Sequence, residues 1–324
     1  MSHIVSSSEA PVDSNLSLGA KETMLAPPVT EEITEEVRQA IQNITIASGI
    51  NMKDIIKNKI DSLPPLPKTI IDINRLRNSS EPNNEELLKI ILTDPMCVAN
   101  ILRVSNSAMY GFSRQIKTAQ DALKMLGFKM TSNIAISTAI VGYLKPDLGP
   151  YGIDMDSFTG TSSLQSKIID RWVDPKISHI KNELQFAAFL QEVGIIIISV
   201  IIIEKNLSQL FRDALKLCEN QAHAEEIIFG QSSSEITSMI FSHWKFNQKM
   251  IDYIRNVDKP EKADELYKVG SQALKIAKTL APVGQTGVTK ESIAKANELV
   301  ASYQFDIGTF KTLTDWIQDR AENA

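Results

Sequence analysis

The chain has 324 residues, 43% of them hydrophobic, and a formal net charge of -5. That length suggests about two domains with enough apolar side chain for a real core. An acidic balance with no Lys/Arg stripe argues against a nucleic-acid backbone as the main partner.

Residues 1–29 are rich in Ser, Pro and Thr and poor in apolar side chains, so a flexible tail is expected there. No basic segment followed by an apolar one opens the chain, which points to a cytoplasmic protein. From Thr30 the pattern changes. Glu31 and Glu32 suit a first helical turn, and Ile33, Val37, Ile41 and Ile44 recur at helical spacing. We read 30–60 as a helical extension whose helix at 31–48 is a candidate docking or dimerising element.

A first helical unit is expected over 61–144. Leu63-Pro64-x-Leu66-Pro67 stiffens its lead-in and is expected to bury both leucines. Asn83 and Asn84 open a helix carrying Leu87, Leu88, Ile91 and Leu92. Asp94-Pro95 places a cap before a proline at the first helical position. Asn106 falls at the end of the helix bearing Val98, Ile101 and Leu102, where its amide can tie the terminus to the next loop. Tyr110 can bury its ring while its hydroxyl finds a partner. Thr118 and Asp121 have capping-box spacing, and Gly127 ends AQDALKML as a C-terminal glycine does.

KPDLGPYGIDMD, at 145–156, holds two prolines and two glycines and is read as a linker. A second unit follows at 157–280, with another capping box at Ser232 and Glu235. The loose stretch 281–289 then leads to C-terminal helices within 281–324. Strand-type alternation is scarce and no internal repeat is visible, so the fold class expected is all-α. Cys97 and Cys218, each in a helical segment, read as buried reduced thiols.

The motifs of 63–128 occur in a recognisable order. Leu63–Pro67, Asp94-Pro95, Asn106-Ser107-Ala108 with Tyr110-Gly111, and Leu126-Gly127 together resemble the HDOD family of bacterial regulatory proteins. The resemblance covers roughly 60–280. It implies that the second half is similar to the HD-domain phosphohydrolase fold, whose enzymes hold divalent metal with histidines and aspartates. The pair commonly appears there as Leu-x-His-Asp-x-Gly. Here the matching stretch is Leu190-Gln191-Glu192-Val193-Gly194, with Gln191 standing for His and Glu192 for Asp. Thr161 to Leu164, where an early helix His is sought, contains none, and Ala273-Leu274 stands where the family has an Ala-Asp pair.

The run from Ile195 to Ile203 follows directly. Taken alone it reads as a strand. The resemblance and the helical neighbourhood make it the buried continuation of the degenerate HD helix. Bracketed by Glu192 and Glu204, it is too short for a membrane span of about 20 residues. Four histidines occur and none precedes an Asp: His3, His179, His223 and His243. His243 shares a helical face with Ile236, Met239, Ile240 and Trp244 and is expected to be a hydrogen-bonded core residue. No G-x-S-x-G elbow, Walker A loop or G-x-G-x-x-G appears.

The expectation is therefore a non-catalytic regulatory module that engages a protein partner of a signalling pathway, or a small ligand, with no catalytic residue, no metal, no cofactor and no membrane contact. The family-motif residues Leu63, Pro64, Leu66, Pro67, Asp94, Pro95, Asn106, Ser107, Tyr110, Gly111, Gly127 and Gly194 are expected to be structural. The alternative is a metal-dependent HD-type phosphohydrolase acting on a nucleotide or cyclic dinucleotide, which needs ligand histidines. A nucleic-acid-binding regulator is the third reading.

Overall fold

Short polar side chains and prolines decide where the helices start. A computed structural model describes Gln39 and residues 51–322, except 80, 108, 109, 111, 113, 145, 146, 219 and 286. The tail at 1–29, the helix expected at 31–48 (apart from helical Gln39) and Gly111 lie outside the described residues.

Helix α1, Met52–Asp61, is capped by Asn51, whose side chain accepts from the Lys53 N–H. Leu63 to Pro67 then runs without helix, and Leu63 and Leu66 are half-buried rather than buried. The reason is that this segment lies on the surface and is held through its carbonyls. The Trp244 indole donates to Pro64 O at 3.1 Å and the Tyr143 hydroxyl to Pro65 O at 3.0 Å. Prolines supply acceptors without donors, so the segment is satisfied by side chains reaching out to it.

Helices α2, Lys68–Arg77, α3, Asn84–Leu92, and α4, Pro95–Ser105, follow. Asn83 accepts from the Glu85 and Glu86 N–H groups, and Asp94 from those of Met96 and Cys97, as the sequence predicts. Asn106 does tie the end of α4 to its loop. Its Nδ2 donates to Leu102 O and Ile116 O, each at 2.8 Å, and its Oδ1 accepts from the Ile116 N–H at 2.8 Å. Ser107 continues the turn, its carbonyl accepting from the Tyr110 N–H. Tyr110 is buried and its hydroxyl lies 3.5 Å from the Met130 sulfur.

Helix α5, Ala119–Leu144, is broken inside at Gly127, where φ is 77°. An L side chain is strained there, so glycine closes one helix and the chain restarts another immediately. After a 3-10 turn at Gly149–Tyr151, α6 runs from Met155 to Arg171. It begins two residues earlier than the sequence pattern placed it, because Asp154 caps the Ser157 N–H.

Helices α7, Lys181–Leu190, and α8, Gly194–Glu204, flank the short joint 191–193. The isoleucine run is helical, as expected, but it is a separate helix and not the continuation of one. The Val193, Ile195 and Ile196 N–H groups bond three residues back, tightening the joint. Between Ile195 and Ile202, every isoleucine is at most 4% exposed. Helix α8 is enclosed by α1, by the turn at 149–151, and by α9, Ser208–Leu217, and α11, Ser233–His243. Burying an Ile side chain stabilises by about 1.5–3 kcal/mol, while its helix propensity costs at most about 0.7 kcal/mol, so burial decides.

Counted through the joint, Lys181–Glu204 forms 24 residues that by length and composition alone could cross a bilayer, longer than the isoleucine run by itself. Of its apolar window 89% is buried inside the protein. The apolar surface is covered by other helices.

Helices α10, Gln221–Phe229, α12, Gln248–Arg255, and α13, Glu265–Leu280, complete the second half, and α14, Lys290–Ser302, and α15, Ile307–Glu322, follow the loop at 281–289. The capping box at Ser232 and Glu235 is formed. No strand occurs among the described residues. Cys97 is buried, but Cys218 is only half-buried because it caps the end of α9; both are free thiols.

Candidate functional site

The joint between α7 and α8 presents Gln191 and Glu192 to the interior, where they are 0% and 1% exposed. Gly194 makes this possible. A Cβ built on it would lie 2.0 Å from Ser233 O, so only glycine lets α8 approach α11 so closely. The Gly194 N–H donates to Thr237 Oγ1 at 2.7 Å, and that hydroxyl lies 3.0 Å from Gln191 O.

Gln191 donates from Nε2 to Gln165 Oε1 at 2.7 Å. Gln165 in turn donates to Ala281 O at 2.9 Å and lies 3.4 Å from Glu192 Oε1. The residue of α6 that reaches the site is therefore Gln165, one position beyond the Thr161–Leu164 window in which a ligand was sought. Helical phase decides this, and a window read without the structure leaves the phase open. Ala273 and Leu274 are fully buried apolar packing. One turn further along α13, Lys278 is the charged residue that reaches Glu192.

The Lys278 ammonium stands 3.0 Å from Asp258 Oδ1, 3.5 Å from Glu192 Oε2 and 3.1 Å from Ser234 Oγ. Its side chain is 13% exposed. Burial works against its charge, but Asp258, Glu192 and Glu225 outweigh that and hold its pKa above the ordinary lysine value. For Asp258, burial is likewise outweighed by Lys278 and by serine hydroxyls, so its carboxyl titrates below the usual range. Glu192 goes the other way: burial dominates over the Lys278 field and raises its pKa.

Glu225, on α10, forms the outer layer. The Tyr151 hydroxyl donates to it at 2.9 Å, Gln221 at 2.8 Å and the Ser233 N–H at 2.5 Å. Burial pushes its carboxyl up to about 7 although Lys278 and the Ser233 N–H act to lower it.

Sequence reasoning found Gln191, Glu192 and Gly194 and missed Gln165, Lys278, Asp258 and Glu225. A signal for Lys278 did exist. It is a charge set among Leu274, Ala277, Leu280 and Ala281, all buried, although Lys275 one turn earlier makes that signal weak. The expected core residue His243 is exposed, with a ring nitrogen 3.4 Å from Leu63 O, because α11 ends there and its last turn reaches the surface. His179 is exposed and His223 half-buried.

The residues at the joint do not fit a divalent metal. A metal needs several anionic or imidazole donors free to converge. Here two amides bond one another, and the two carboxylates face an ammonium that is already in place. No group of three or more His, Cys, Asp or Glu able to hold a metal occurs among the described residues. Asp94, Asn106, Tyr110 and the Leu-Pro segment lie elsewhere, in the contacts given above. Of the family-motif residues, only Gly194 belongs to this joint.

Comparison with known proteins bears on the family and the fold. The sequence profile of the HDOD domain matches residues 63–260. An uncharacterized protein of Treponema pallidum is 25% identical over 121 residues, 37% of this chain. The match spans only 24% of that protein. Among solved structures, a Shewanella amazonensis protein named for phosphohydrolase activity is 22% identical, with a TM-score of 0.61 over 81% of this chain and 93% of its own. A Marinobacter aquaeolei protein named for signal transduction is 16% identical, with a TM-score of 0.63 over 89% of this chain and 66% of its own. At these identities the two structures establish the fold that the chain shares with them.

Proposed function

This chain belongs to the HDOD domain family, and from that premise we propose that it is a signalling module that works by recognition, holding a protein partner or a small ligand without turning over a phosphoester. One observation carries the reading. The Lys278 ammonium is built into the position between Glu192 and Asp258, so their charge is met by the chain itself. Phosphoester hydrolysis on this fold needs a metal-bound water made nucleophilic near neutral pH. Glutamines at 165 and 191 offer amides where imidazoles would be required, and a buried ammonium repels a second cation.

The test is metal content and turnover on purified full-length protein. We expect no stoichiometric manganese, iron or nickel, no hydrolysis of nucleotides or cyclic dinucleotides, and no manganese-dependent rise in melting temperature. A tightly bound metal raises stability in proportion to the logarithm of its concentration over its Kd. Stoichiometric metal with turnover would establish the phosphohydrolase reading instead.

A further inference from the structure

A cavity of about 610 Å³ opens where the break in α5 meets α6 and α7, and neither Gln191 nor Glu192 lines it. It exists because Gly127 turns the chain between the two parts of α5, leaving Leu126, Gly127 and Phe128 along one wall. Tyr110 lines it too, so two family-motif positions read as structural converge on one hollow.

Its chemistry differs from that of the chain as a whole. Lys129, Lys167 and Arg171 line it against one carboxylate, Asp170, in a protein of net charge -5. Lys129 and Arg171 are exposed, and neither has a carboxylate partner among the described residues. The Arg171 guanidinium lies 5.2 Å from the Trp316 ring centroid, which holds it in place without neutralising it.

Gln185 supplies a second, independent observation. It is 5% exposed and lines the cavity, yet its side-chain amide has no hydrogen-bond partner among the described residues. An amide on the wall of a hollow, with no bond to the protein, can donate to and accept from a polar ligand group. Phe112 and Phe128 are half-buried on the same lining. Phe112 stacks on Tyr110 with 14° between the rings.

We propose that this cavity binds a nucleoside phosphate. Lys129 and Arg171 hold the phosphate at the mouth, Gln185 pairs with a polar edge inside, and Phe112 and Phe128 flank the base. The volume falls within the range of small-molecule sites, and a guanidinium is suited to phosphate oxygens. This deepens the reading given under Proposed function by supplying a ligand class and its place, but it fails separately. Metal content and turnover test the Lys278 cluster, whereas ligand binding tests the cavity.

The experiment is titration of the full chain with methylanthraniloyl-labelled ADP and GDP, followed by fluorescence, with inorganic pyrophosphate as a separate probe. We expect saturable nucleotide binding, weakened about tenfold by Lys129→Ala and about tenfold by Arg171→Ala. Both residues are exposed, so both variants should fold and keep the parent melting temperature. Gln185→Leu should weaken the nucleotide more than pyrophosphate. Absence of saturable nucleotide binding overturns the proposal. So does binding that neither Lys129→Ala nor Arg171→Ala alters, or pyrophosphate binding as tightly as the nucleotides.

Discussion

Lys278→Met keeps the length of the side chain and removes the charge that Glu192 and Asp258 face. Breaking a buried pair from one side leaves an uncompensated ion, and we expect a loss of about 3–5 kcal/mol in urea unfolding. Adding Glu192→Gln should restore part of it, and the double-mutant cycle would measure the coupling. If Lys278→Met cost less than about 1 kcal/mol, the two carboxylates would have to be satisfied by something else. A pH signature also resides here. The Glu225 carboxyl titrates at about 7 in the fold against an ordinary 4.5, so the folded state holds more protons than the unfolded one between those values. The stability it contributes is complete below about pH 4.5 and is lost as pH rises through about 7. Glu192 acts with the same sign, and Asp258, shifted down, acts with the opposite sign at lower pH. Relative to Glu225→Gln, the parent should therefore lose urea stability between pH 4.5 and 7; a pH-independent difference would show that Glu225 does not titrate there. At this scale Gln191 and Glu192 were legible because a linear motif holds them. Lys278, Asp258 and Glu225 were not, because they come from three separate segments.

At the scale of elements, capping was the most legible feature. Asn83, Asp94 and Ser232 each satisfy N–H groups within three residues, a range that sequence spacing covers completely. Asp94→Ala should cost about 1 kcal/mol in a chemical melt. The isoleucine helix was harder, because a β-branched run carries no period of its own. Its helicity depends on neighbours that bury it on nearly every side. Ile198, fully buried, should lose about 2–5 kcal/mol as alanine and about 0.5–1.5 kcal/mol as valine in urea unfolding. A charge at the same place should leave the chain unable to fold. The joint at 191–193 was not legible at all, since nothing in Gln-Glu-Val announces the end of a helix. It is set by Gly194, whose missing Cβ lets the start of α8 lodge against Ser233 on α11. Gly194→Ala should cost about 1–3 kcal/mol or more through overpacking, which thermal unfolding would read.

For the whole molecule, contacts join residues far apart in sequence. Arg77 stacks on Phe186 at 3.8 Å and donates to Asn133 and Asn182, Lys59 pairs with Glu204, and Trp244 holds Pro64. One buried apolar cluster extends from Ile56 to Ile317. We expect a single cooperative transition, with tryptophan fluorescence and far-ultraviolet dichroism reporting the same midpoint. Two separated midpoints would mean that the apolar cluster does not bind the halves into one unit.

By itself the sequence determined the all-helical class, the positions of most caps, the break at Gly127 and the absence of any histidine followed by aspartate. These are local properties, written in residues a turn or two apart. Only the tertiary structure decided which groups surround Gln191 and Glu192. Glu192 meets Gln165 of α6 and Lys278 of α13, whose ammonium also faces Asp258 from the loop between α12 and α13, and their meeting depends on how helices pack, which no linear spacing encodes. The same holds for the basic cavity, whose lining gathers residues from 110 to 185 on elements that only packing brings together.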